Sequence, residues 1–536
     1  MELYDLFLSN MKKIMQIIIF IMLCNFSYTQ NQDWETHIGS SNRDEGAKDL
    51  LEDYDKGYLI AGYVDYNSLS VKTGINGNVL YDMEFEHSIY YMNFKGVAVD
   101  SAGNKYYCGS KFNNTTWPYV VKIDSCGEVL WCKLLSFYEF NDGYAIDILI
   151  NINGEIVVLC SYHSETEFER IHLIGLNENG DVLWKKPYAS RNNHSWIRNA
   201  NAYNLLESNS DYYISGYCYW PYPNDTTHVF LRPLFIGIDS NFKEKWILPF
   251  APLDSVFGDA YNTISLNDSV FMGVGERWLG NNDKNTLLMF FNKDGETLGH
   301  NQIPNDSIAP NLIANVSRDI KRINDSLFIT FSVWGSTPDG GICSEMIIDT
   351  SGKVYNINES AYCSGSGSLI KTSDGNFVYA VDVKENKSDW DILLYKINEN
   401  LESVPFDTNT YAYDSLCPHQ IQSGIIDLTN CLEWVGMEEI PSPQQYYASL
   451  KQIPIKAYPN PVSGGRIIFE FENTQYHSNM ELRCYDLLGE LVHSEKVYQH
   501  QGMSRVSTLG WPSGMYMAVI YSNGGAVGKC KFVVRE

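Results

Sequence analysis

The chain is 536 residues long and carries 39 basic against 65 acidic side chains, a net charge of −26 at pH 7. Such a chain repels phosphate backbones, and no basic cluster interrupts it, so nucleic-acid binding is excluded as a function class. The length suffices for one large repeat domain and one small one, each with its own core.

The first element is a targeting segment. Met11-Lys12-Lys13 precedes an apolar run over 14–26, followed by Ser27-Tyr28-Thr29-Gln30. A basic start, an apolar core of about a dozen residues and a small residue near the cleavage point make a secretory signal, too short to span a bilayer. Residues 1–29 are therefore expected to be upstream residues and signal peptide. Cys24 follows Leu23 and not a small residue, which argues against lipoprotein processing. No later run is apolar enough for a membrane span, so the mature chain is expected to be exported without a transmembrane segment.

Between residues 49 and 402 a strand, a tight turn and a second strand recur seven times. The turns centre on Gly57, Gly103, Gly154, Asp211, Asp268, Asp325 and Gly375, a period of about 50 residues that is the size of a propeller blade. Gly, Asn and Asp supply the positive φ angles of two-residue hairpins. Shortly after each turn stands a small residue: Gly62, Gly109, Cys160, Gly216, Gly273, Thr330 or Ala380. The expectation is that adjacent sheets pack face to face there. A second hairpin follows at Gly77, Gly127, Gly180, Asn241, Gly295, Gly352 and Asn400, left by runs such as Val129-Leu130-Trp131 and Val182-Leu183-Trp184. Four strands per repeat and no helical period make the fold class all-β, with a seven-bladed β-propeller over 30–410. Trp34-Glu35-Thr36-His37-Ile38 reads as an orphan outer strand. Its expected place is beside the last blade, where Pro405 cannot donate to a ladder, so that the two ends close the ring and cover its edge.

Motifs for chemistry are missing. His-Glu-x-x-His, Gly-x-Ser-x-Gly and the Walker loop do not occur, and the eleven histidines lack the spacing of a zinc site. No catalytic residue, metal or cofactor is expected. Thr372-Ser373-Asp374-Gly375 is similar to the aspartate box of sialidases but lacks its downstream tryptophan and does not recur, and it reads as a turn. Two inserts are the candidate ligand contacts: 217–232 with Trp220, Tyr222 and His228, and 331–343 with Trp334.

Twelve cysteines include Cys24 in the signal, which leaves an odd number and at least one unpaired or intermolecular thiol. Cys126 and Cys132 lie on one extended segment, roughly 20 Å apart, and cannot pair. Cys417 and Cys431, in a linker over 411–455, are candidate partners. So are Cys484 and Cys530 across the terminal sandwich.

Residues 456–536 form a separate unit whose strands read as a small Ig-like β-sandwich. Tyr458-Pro459-Asn460-Pro461, Tyr485-Asp486-Leu487-Leu488-Gly489, Ser513-Gly514-Met515-Tyr516 and a basic-apolar terminal strand follow in order. In these motifs the unit resembles the type IX secretion C-terminal sorting domain of Bacteroidota, with Tyr458, Pro459, Asn460, Pro461, Asp486, Gly489, Gly514 and Tyr516 as the motif residues. The resemblance implies inner-membrane passage by the amino-terminal signal, recognition by the type IX machinery at the outer membrane, and release or attachment to surface lipopolysaccharide. The repeat segment is similar to the propeller arrays found upstream of that domain. The expected function is a secreted or cell-surface binding or adhesion module for glycan or protein. The alternatives are an extracellular polysaccharide hydrolase or lyase on a propeller scaffold, and a structural envelope component.

Overall fold

The structure is a computed structural model. It describes residues 34–435 and 455–535, apart from 114, 138–139, 141, 164–169, 190–196, 198, 223–224, 251–256, 281–282, 305–314, 338–339, 385–388, 472–479, 488, 498–501 and 523–524. The expected signal peptide lies outside the described residues. The chain divides into two compact units, Met1–Gly436 and Met437–Glu536.

Seven antiparallel blades follow one another in the first unit, with inner strands Glu45–Glu52, Tyr91–Val99, Asp142–Ile150, Ala200–Ser208, Ala260–Ser265, Asn315–Arg322 and the second half of Val354–Lys371. That last strand is also the outer strand of blade 6, so blades 6 and 7 share one continuous sheet. Antiparallel order puts the first-to-second and third-to-fourth turns on one face, here the lower. The second-to-third turns and the connections between blades lie on the upper face.

The lower turns are mostly three-residue loops, not the two-residue loops expected. In one of them Asn177 donates its N–H to Asp181 O and accepts from Gly180 N, both at 3.0 Å, while Gly180 takes φ +80°. The Asn177 side-chain oxygen also accepts from Asn179 N and Asp181 N at 2.9 Å. This is a type I turn closed by a left-handed residue, and it uses Asn or Asp to satisfy backbone donors that the hairpin leaves over.

Each inner strand of blades 1 to 6 has a bulge, at Lys48, Lys95, Ile146, Tyr203, Tyr261 and Arg318. In blade 7 the register shifts between Cys363 and Gly367. The bulge turns a carbonyl against the second strand: a Cβ at Gly62, Gly109, Gly216 or Gly275 would overlap the backbone oxygen of Gly46, Asn93, Asn201 or Asp259. At these four positions the small residue is demanded by the blade's own inner strand and not, as expected, by the neighbouring sheet, whereas the expected Gly273 does face that sheet, where a Cβ would meet the Phe235 ring of blade 4. In blades 5 and 6 the position is Gly275, opposite Ala260, and Ser332, opposite Ser317. The expected Gly273 and Thr330 fall short because Asp268 and Asp325 stand earlier in their turns than Gly57 does.

Ring closure follows the expected route. Glu35–Ile38 pairs antiparallel with Asp391–Ile397, Thr36 opposite Leu394. Trp34, 1% exposed, donates its indole N–H to Ile75 O in blade 1 at 3.0 Å and meets the Tyr58 ring edge-on at 5.9 Å. The same outer-strand-to-next-turn bridge recurs inside the ring, from Trp131 to Glu178 O at 2.9 Å and from Trp246 to Lys293 O at 2.8 Å.

Residues 407–435, which from 411 onward belong to the stretch read as a linker, strap the outer edges of blades 1 and 2. Gly424–Asp427 pairs parallel with Val79–Glu86, and Leu432–Val435 with Val129–Leu135, so each edge gains a fifth strand. Cys417 bonds Cys126 and Cys431 bonds Cys132. This corrects the expected Cys417–Cys431 pair: the strap lays each cysteine beside blade 2, where Leu432 stands opposite Cys132. The bonds span sequence separations of 291 and 299 residues, and the first to close lowers unfolded-chain entropy by on the order of 5 kcal/mol in the chain-entropy account. Cys343 and Cys363 form a third bond between adjacent strands. Asp414 N–H donates to Asp55 Oδ2 at 2.9 Å, and Asp55 in turn accepts from the buried Lys72 ammonium at 2.7 Å.

In the second unit, Ile455–Tyr458, Arg466–Phe471 and Met503–Ser507 face a sheet of Leu491–Val497, Met480–Tyr485, Gly514–Ser522 and Gly525–Val534. Ile467, Phe469, Leu482 and Phe532 fill the space between them. Cys484 and Cys530 stay thiols, against the expected pairing. Both stand opposite Ala518, one on either side of its strand, so two strand spacings, about 10 Å, part them.

Trp34→Ala is expected to lower the unfolding free energy of the propeller by about 3–5 kcal/mol, the usual cost of emptying a buried aromatic site, read from the urea midpoint at unchanged slope.

Candidate functional site

A residue that the ladder skips is re-aimed, and in an inner strand the free direction is the channel axis. The bulge residues of neighbouring blades accordingly meet. The Tyr203 and Tyr261 rings are 4.9 Å apart, and the Arg318 guanidinium lies 3.9 Å over the Tyr261 ring. On the other side of the mouth, burial pushes the Lys95 ammonium down to about 8, with Lys48 adding to the effect.

Below the bulges lies a layer of carboxylates that stitch blades together. Asp49 accepts from Leu50 N at 2.8 Å and from Val97 N of blade 2 at 2.9 Å. Asp147 accepts from Ile148 N at 2.8 Å and from Leu205 N of blade 4 at 2.9 Å. Asp319 accepts from Ile320 N at 2.7 Å and from Leu369 N of blade 7 at 3.0 Å. Burial raises Asp49 to about 7, helped by the charge of Asp147, and raises Asp147 to about 6; Lys321 of blade 6 pulls both the other way. Groups on blades 1, 3 and 6 can act on one another only across the axis.

Beside the bulges on the upper side, Asp259 accepts from the hydroxyls of Tyr203 at 3.2 Å and Tyr261 at 3.3 Å. Burial, then the Glu276 carboxylate, raises it to about 6. Glu276 is itself held by Lys284 at 3.0 Å and by the Trp278 indole. The Asn201 amide donates to the hydroxyls of Tyr144 and Tyr217. Across the mouth, buried Asp382 accepts from Ala47 N at 2.6 Å and Ser364 Oγ at 3.0 Å and pairs with Lys48 at 3.5 Å.

On the upper surface three rings form a row: Tyr66, Tyr91 and Phe112, with centroids 4.4 and 6.3 Å apart and exposures of 65, 51 and 46%. Tyr91 opens the inner strand that leads down to Lys95, and Met92 N–H donates to Tyr66 O at 2.7 Å, which fixes the row to two blades.

The sequence candidates lie elsewhere. The two inserts are continuations of blade strands: Trp220 stands opposite Phe230, Tyr222 opposite Asp225, and Trp334 opposite Ile342. Trp220 packs partly buried against the core of blades 3 and 4. Tyr222, His228 and Trp334 lie on strands Asp211–Tyr222, Asp225–Ile238 and Leu327–Thr337, their side chains outside the described residues. Among the described residues, two groups have the chemistry of metal ligands: Cys126, Cys417 and His419, and Asp53, Asp55 and Asp414. The cysteines are consumed in a disulfide, and the Lys72 ammonium occupies the acidic group at Asp53 and Asp55.

In the terminal sandwich the motif residues organise the last strand and its turns. Asn460, between cis bonds at Tyr458-Pro459 and Asn460-Pro461, accepts from Val533 N at 2.9 Å and donates to Lys531 O at 3.2 Å. Asp486 accepts from Glu490 N at 2.8 Å across a turn in which Gly489 takes φ +82°. Tyr516, two residues after Gly514 opens its strand, donates to Pro512 O at 2.7 Å and packs between Trp511 and Phe532.

Because Asp147 ionises near 6 in the folded chain against an ordinary 3.8, the folded state holds that proton more tightly. The stability it contributes is complete below about pH 4 and is lost as pH rises through about 6. Relative to Asp147→Asn, the parent protein is expected to lose on the order of 3 kcal/mol between about pH 4 and pH 7, measured by urea unfolding at each pH.

Residues 456–535 match a family described as the secretion system C-terminal sorting domain. No curated protein matches the chain. Among solved structures it is similar to an ulvan lyase of a new polysaccharide lyase family, at 10% identity and a TM-score of 0.45, covering 68% of this chain and 96% of that one. A protein of unknown function from Dyadobacter fermentans DSM 18053 is similar at 9% identity and a TM-score of 0.42, with 58 and 95% covered. The extracellular domain of a one-component system from B. thetaiotaomicron is similar at 10% identity and a TM-score of 0.39; 93% of this chain is covered, and it spans 57% of that one. The C-terminal segment is a type IX sorting domain, and the chain is exported to the cell surface or the medium.

Proposed function

We propose that this protein is an exported glycan-binding propeller that receives a sugar chain on its upper face, at the mouth of the central channel. The row of Tyr66, Tyr91 and Phe112 carries the reading. Large rings this exposed and this close to one another leave apolar surface in water that a folded chain ordinarily hides, and such patches mark binding sites. A sugar ring offers an apolar C–H face to such a platform and hydroxyls to its rim. Across the mouth, the Asn201, Tyr203 and Tyr217 polar groups offer further donors and acceptors to a sugar chain long enough to span it. The route is part of the proposal: residues 1–29 act as the signal, and the exported protein is then released or attached to surface lipopolysaccharide.

One observation favours a second reading, a hydrolase or lyase. Asp259, raised to about 6 and bonded to two tyrosine hydroxyls, can give or take a proton near neutral pH beside a bound sugar.

Removing 457–536 is expected to trap the protein inside cells of its host, judged by immunoblots of cells and medium; unchanged export contradicts the route. A glycan array followed by titration of the hits is expected to show binding that Tyr91→Ala weakens about tenfold, the worth of one lost aromatic contact. Cleavage of a hit that is abolished in Asp259→Asn would favour the second reading, and binding without cleavage the first.

A further inference from the structure

The ring of bulge residues reverses the sign of the chain. Lys48, Lys95 and Arg318 stand beside Ile146, Tyr203 and Tyr261, three cations and no acid, in a chain with 65 acidic and 39 basic side chains. Resting on the glycan reading above, we propose that the ligand is an anionic polysaccharide, its sugar units carrying carboxylate or sulfate groups that Lys95 and Arg318 bind while the sugar faces lie on the tyrosines.

The surroundings of the two cations argue for it. Lys95 is half-buried and forms no ion pair or hydrogen bond among the described residues, and the charges acting on it are Lys48 and Asp382. Asp382 is already engaged by Ala47, Ser364 and Lys48. Arg318 is stacked on Tyr261, and its buried Nε has no partner among the described residues. The acids near it, Asp259 and Glu276, are bonded to Tyr203 and Tyr261 and to Lys284. An ammonium withdrawn from water without a hydrogen-bonded partner, as at Lys95, is costly, and an anionic ligand removes that cost on binding. The stacked guanidinium is held in one plane, which suits two-pronged recognition of a carboxylate or sulfate.

The test is calorimetric titration of the mature protein with four probes: an oligogalacturonate, its methyl ester, a sulfated galactan oligosaccharide and the neutral galactan. Tighter binding of the free acid than its ester, or of the sulfated than the neutral galactan, by about tenfold or more supports the proposal, and the pair showing the gap tells carboxylate from sulfate. Lys95→Met and Arg318→Met are each expected to narrow that gap by lowering affinity for the charged member more than for the neutral one. Lys95→Arg, which keeps the charge, is expected to retain it and controls for misfolding. Equal affinities within both pairs overturn the anionic ligand and leave glycan binding standing. Absence of binding to all four probes and to a glycan array overturns both.

Discussion

One extra residue in the inner strand of each of blades 1 to 6 governs the propeller. The bulge bends the strand, turns the preceding carbonyl against its partner and so requires glycine at Gly62, Gly109, Gly216 and Gly275. It sends one side chain toward the axis, at Lys48, Lys95, Tyr203, Tyr261 and Arg318. In three blades it then offers the next residue, Asp49, Asp147 or Asp319, to a backbone N–H of the following blade. Packing between blades and the chemistry of the mouth therefore have a common origin, and a change at a bulge acts on both.

The chain ends complete what the bulges begin. A repeat array exposes two end faces unless it closes, and Trp34 enters blade 1 by the bridge that Trp131 and Trp246 use within the ring. The strap at 407–435 covers two outer edges and is fastened to blade 2 by two disulfides. Both belong to an oxidising destination, the one that the terminal sorting domain specifies.

What the sequence could tell was set by how local each signal is. Blade number, strand content, the closing strand and the sorting motifs depend on turns and short runs, and all are written in neighbouring residues. The strap is not, because Leu432 meets Cys132 by parallel pairing across some three hundred residues, a contact that no local pattern encodes. The mouth was hidden for a different reason. Lys48, Lys95 and Arg318 look like ordinary strand charges, and the one sign of their role is a break in alternation, as in Ala47-Lys48-Asp49-Leu50, where two polar residues stand together between buried ones. Trp220 and Trp334 drew notice as aromatic residues in long inserts, yet those inserts are strand extensions.

Closure of the ring is the claim on which the channel, its mouth and the proposed ligand all depend, and amide hydrogen exchange of the mature protein, resolved by segment, tests it most directly. A closed ring predicts that Glu35–Ile38, Asp391–Ile397 and Glu45–Glu52 exchange only with global unfolding, at the same level as Ala200–Ser208 on the far side. Exchange of the three end strands well ahead of Ala200–Ser208 would show an open array that frays from its termini, and would contradict the account.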